Sequence, residues 1–154
     1  MSECPPPRRQ DQLTLAALLT AVRCGRLFVR YGLRAWGIPR DDIETAEQLV
    51  AELVIGAVRA TGITSPQPTF SEVRSGLKPI RVRLLLFDES VVVQVWDSSP
   101  EPPAPAVQGP DANGGSSTFE SVGTQRGYYH PLSGGKVVWC ELSLVGPSTD
   151  DVAD

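Results

Sequence analysis

Between Ala46 and Val58 the apolar residues Ala46, Leu49, Val50, Leu53, Ala57 and Val58 return every three or four positions, the period of an α-helix with one dry face. A stripe of that kind has to be covered by a second layer of structure, which narrows the folds open to the chain. Asp41 or Asp42 can cap this helix, with Glu44 in its first turn. Upstream, Leu18 to Trp36 repeats helical spacing through Leu18, Leu19, Val22, Phe28, Val29 and Tyr31, and Gly37 and Pro39 supply the stop. Downstream the period changes. Ile80 to Phe87 and Val91 to Trp96 are rich in branched side chains and flank Asp88-Glu89-Ser90, which predicts an antiparallel hairpin.

Weaker signals complete the order. Leu13, Leu15 and Ala17 alternate with Thr14 and Ala16, as a short opening strand would. Thr61 to Pro79 has two glycines, three prolines and no period, and reads as irregular. Thr118 to Arg126 is read as a short helix, Gly127 to Pro131 as loop, and Gly134-Gly135 opens a last strand from Lys136 to Leu144. The expected fold class is therefore α+β, a two-layer sandwich with helices on a mostly antiparallel sheet.

Five prolines between Pro100 and Pro110 exclude helix and central strand there. Pro5-Pro6-Pro7 marks residues 1–12 as a tail, and the acidic stretch after Gly146 marks 146–154 as another, leaving one domain over 13–145. With 41% apolar and 21% charged residues the chain can form a core. A net charge of −4 argues against a protein held to nucleic acid by phosphate contacts. Cys4, Cys24 and Cys140 are odd in number and widely spaced, so neither a disulfide framework nor a zinc site is expected. No apolar run approaches the ~18 residues that cross a bilayer, and the expected setting is cytoplasmic.

Three places bear on chemistry. At 100° per residue Glu52, Gly56 and Arg59 fall on one side of the long helix, beside its apolar face. Val95-Trp96-Asp97 ends a strand on a carboxylate, and Asn113-Gly114-Gly115-Ser116 is a glycine-bearing loop. With Gly134-Gly135-Lys136-Val137-Val138-Trp139, these stretches resemble the actinobacterial regulatory ATP-binding proteins of the GHKL superfamily, the branch of anti-sigma-factor serine/threonine kinases with a histidine-kinase-like ATPase domain. The resemblance runs from about Leu13 to Leu144.

That resemblance implies ATP held between helices and a lid. Glu52 matches the Glu that orients or deprotonates a hydroxyl or a water, the catalytic position if the chain is a protein kinase. Gly56 stands where the family has an Asn that gives Mg²⁺ an amide oxygen, so one ligand of the metal is missing and its other ligands are not identified. Asp97 matches the Asp that accepts a hydrogen bond from the adenine amino group, and Gly114 and Gly115 match the lid glycines that approach the phosphates. Each position also has a plainer reading: a solvated helix carboxylate, a packing glycine or kink, a turn-starting Asp before Ser98-Ser99-Pro100, and a flexible loop. The implied partner is a sigma factor or an antagonist of the anti-sigma class, and members of the family often form homodimers. Two functions follow: a regulatory ATP-binding protein with weak or lost catalysis, or an interaction module of the same fold that has lost the nucleotide.

Gly109 to Ser116 is one residue from a P-loop, but Gly115 takes the lysine position and prolines precede it in place of a strand. His130 is the single histidine and is assigned a structural or surface role. Trp36, Trp96 and Trp139 are read as core or rim residues.

Overall fold

The computed structural model describes residues 5–103 and 125–144. Its elements run β1 (Arg9–Ala16), α1 (Thr20–Ala35), α2 (Arg40–Thr61), α3 (Phe70–Gly76), β2 (Pro79–Leu86), β3 (Ser90–Asp97), β4 (Gln125–Tyr129) and β5 (Lys136–Ser143). The strands form one antiparallel sheet in the order β1-β2-β3-β5-β4. The α+β sandwich read from the periodicities is the architecture observed.

The core lies between the sheet and the α1–α2 pair. Strand alternation sends Ile80, Val82 and Leu84 of β2 and Val91, Val93 and Val95 of β3 to the helix side, where each is buried. They meet Val29 and Leu33 of α1 and the α2 stripe, of which Ala46, Leu49, Val50, Val54 and Val58 have no exposed surface. Helices α1 and α2 approach closely at Gly25, where an added Cβ would come to 3.2 Å from Val54 Cγ2.

Four expectations are corrected. The strand β1 begins at Arg9, inside the stretch read as tail, because its register against β2 continues past Leu13↔Val82 to Arg9↔Leu86. Pro39 holds the N-cap position of α2, so Asp41 and Asp42 lie within the first turn, where they face the positive end of the helix dipole. The irregular stretch from Thr61 contains α3, started by a capping box in which Thr69 Oγ1 accepts from Glu72 N (3.2 Å) and Glu72 Oε1 accepts from Thr69 N (3.3 Å). Gln125 and Arg126 (the end of the expected short helix) and Gly127 to Tyr129 form the edge strand β4. The remainder of that expected helix and the loop Gly109 to Ser117 fall outside the described residues.

Candidate functional site

The most buried ion pair among the described residues lies where β3 ends and β5 begins. Asp97 is the last residue of β3, in phase with Val91, Val93 and Val95, so its carboxylate points to the helix side. Lys136, the first residue of β5, is its cross-strand partner. The turn before Lys136 is made by Gly134 and Gly135 at φ of 101° and 74°, a left-handed region that side chains disfavour. A Cβ on Gly135 would also strike the Asp97 carbonyl and the Trp96 indole. Trp96 Nε1 donates to Gly134 O at 2.9 Å, fastening the turn to the strand end.

So placed, Lys136 Nζ donates to Asp97 Oδ1 at 2.9 Å, and the two side chains are only 3% and 2% exposed. Ser99 N donates to the same oxygen at 2.9 Å, closing the turn that Asp97 starts. Lys136 Nζ also lies 3.5 Å from Ser99 O. Two donors thus converge on one carboxylate oxygen in a dry setting, and the positive charge is neutralised where it is buried.

Glu52 is half-buried on α2 and acts on β5 farther along. Burial pushes the Cys140 thiol up to about 12; Arg126 opposes that shift and Glu52 adds to it, which puts both charged groups within electrostatic reach of the sulfur. Arg126 is the cross-strand partner of Cys140. The structure therefore gathers Glu52, Cys140 and Arg126 at one level of the sheet and Asp97 with Lys136 at another. Four residues of β5 separate the levels, about 13 Å at the usual strand rise, with Val138 between them on the same face. Gly56, one turn beyond Glu52, is exposed, and a Cβ there would meet nothing within 4 Å. Neither packing nor a kink explains it: α2 runs unbroken through the position.

Gly114 and Gly115 lie outside the described residues. No group of three or more potential ligands among the described residues could hold a metal ion. Cys24 is exposed and Cys140 buried, both as free thiols. His130 is exposed, with Nε2 at 2.8 Å from Pro100 O and its ring edge-on to Tyr128. Trp96 lies on the sheet face away from the helices under the Arg81 guanidinium, 5.4 Å from the ring centroid, and Trp139 covers Gly127 on that same face.

No family model matches the chain, and no curated protein matches it in sequence. Among solved structures it is similar to the crystal structure of the RsbU and RsbW domains of Rv1364c from Mycobacterium tuberculosis, with a TM-score of 0.61 at 22% identity. The likeness is one of fold. It covers 92% of this chain but 34% of that one, so the chain spans about a third of that protein's length. No helix among the described residues is long and apolar enough to cross a membrane.

Lys136 and Arg126 are the residues that sequence reasoning missed. Lys136 had a signal: it is in phase with Val138, Cys140 and Leu142 on the inward face, and a lysine there requires an acid. Arg126 had none, since it fell in a stretch read as helix.

Proposed function

We propose that this chain is a regulatory protein-docking domain with the fold of the anti-sigma ATPase-like proteins, in which an internal ion pair has taken over the position of adenine recognition. The observation that carries the reading is the Lys136–Asp97 contact. An adenine amino group would meet a carboxylate whose Oδ1 already accepts from the Lys136 ammonium and the Ser99 amide, leaving it only Oδ2 and a charge the lysine already balances. Gly56 supplies no metal ligand, which points the same way. The fold shared with a chain that carries RsbU and RsbW domains supports a role in regulation by partner binding, with a sigma factor or an antagonist of the anti-sigma class as the partner, in the cytoplasm.

The test is thermal melting with and without Mg-ATP. A ligand at 100 times its Kd adds roughly 2.7 kcal/mol, a rise of several degrees for a chain of this size. We expect no shift. A second reading, an ATP-binding regulator with serine/threonine kinase activity, is favoured by the half-buried Glu52 on α2. A melting temperature that climbs with Mg-ATP, and climbs further in Gly56→Asn, would replace the first reading with the second.

A further inference from the structure

We infer that the outer ridge of α1, with the groove beside it, is the docking surface, and that it takes an acidic amphipathic segment of a partner protein. The inference rests on the docking reading above and assigns it a place and a chemistry.

Arg23, Arg26, Arg30 and Arg34 follow one another at intervals of three, four and four residues. At 100° per residue they fall within about 80° of arc and extend about 16 Å along the helix. Helix α1 contains no acidic residue, although the whole chain carries a net charge of −4. Like charges one turn apart disfavour a helix, so the ridge is not explained by the stability of α1.

The four arginines are not equivalent. Arg30 is held by Glu47 of α2 in a two-point contact, Nη2 to Oε1 at 2.8 Å and Nε to Oε2 at 3.2 Å. Arg26 and Arg34, one turn to either side, have no carboxylate partner among the described residues. All three line a groove of about 740 Å³ between α1 and the start of α2, where Ile38 and Ile43 add apolar surface. The groove thus offers two unpaired guanidinium groups two helical turns apart, a fixed one between them, and a greasy patch alongside. A helix with carboxylates two turns apart and a neighbouring apolar edge complements this pattern in charge and spacing. A phosphate backbone matches less of it, because it has no apolar edge to set against Ile38 and Ile43.

The probe is a fluorescein-labelled helical peptide with glutamates two turns apart and leucines along the adjoining edge, followed by anisotropy. The full chain should bind it, and raising salt from about 50 mM to about 300 mM should weaken binding. The double variant Arg26→Ala/Arg34→Ala should lose roughly tenfold or more in affinity. Arg9→Ala/Arg74→Ala removes the same charge from exposed positions elsewhere and should bind as the parent does. All these arginines are exposed, so circular dichroism should show every variant folded. Absence of binding by the parent, equal losses in the two double variants, or displacement of the peptide by an oligonucleotide of equal charge would each overturn the assignment. The outcome is separable from the ATP experiment. A chain that ignores both ATP and the peptide keeps the docking reading and loses this surface, whereas one that binds both keeps the surface and loses the reading.

Discussion

Lys136 and Asp97 show how one residue changes what its neighbour can do. A carboxylate at a strand end is a good acceptor for an incoming donor as long as nothing already occupies it. An inward lysine directly across the ladder makes it one half of a buried ion pair. Removing one partner of a buried pair leaves an uncompensated charge, which costs about 3–5 kcal/mol. Asp97→Ala is therefore expected to lower the stability measured by urea unfolding by that order, while Asp97→Leu/Lys136→Met should recover most of the loss. A single variant within 1 kcal/mol of the parent would show that the pair is solvated. Cys140 gives a second prediction at this scale. With its thiol pushed up to about 12 by burial, it holds about one part in ten thousand thiolate at pH 8. Iodoacetamide followed by peptide mass mapping should modify exposed Cys24 and leave Cys140 untouched until denaturant is added. Early labelling of Cys140 would mean that the α2–β5 contact opens readily.

At the scale of elements, legibility followed how much of each signal was local. The dry face of α2 and the β2–β3 hairpin were readable because a burial period is written into consecutive residues, and their bounds moved by only a residue or two. The helix α3 was hidden by neighbouring prolines and glycines, although the Thr69-Phe70-Ser71-Glu72 capping box was present in the sequence. Strand β4 was hidden for another reason. Gln125-Arg126-Gly127-Tyr128-Tyr129 buries no residue and has no apolar alternation, and it is a strand because β5 offers an edge to pair with. The candidate site was half legible on the same grounds. Glu52 and Asp97 were visible as residue types, but the partner of Asp97 follows only from the β3–β5 register. Gly56 supplies the prediction that belongs to α2. Its position is helical, exposed and free of neighbours, so Gly56→Ala should raise stability by roughly 0.5–1 kcal/mol, read as a higher melting temperature with unchanged helical signal. A loss of stability would reveal a contact at Gly56 that the fold does not account for.

Across the whole molecule, burial is unevenly shared. Apart from Ala17, just before α1, the buried hydrophobic residues among those described all lie in the three inner strands β2, β3 and β5 and in α1 and α2, while β4 and α3 bury none of their residues. Opening α3 exposes no apolar core, and opening β4 breaks one ladder at a sheet edge. Opening β3, in contrast, breaks two ladders and uncovers the α2 stripe together with the Asp97–Lys136 pair. Amide hydrogen exchange should accordingly fall into two tiers. Amides of β3, of the β3-facing side of β5 and of Leu49 to Val58 should exchange only through global unfolding, while those of α3 and β4 exchange through local opening at much lower free energy. This ordering also bears on function, since an anchored centre lets the outer surface of α1 present its arginines on a rigid support. If α3 or β4 exchanged as slowly as β3, an unseen surface would have to cover them. If α1 exchanged as fast as α3, its ridge would be too mobile to hold arginines at fixed spacing.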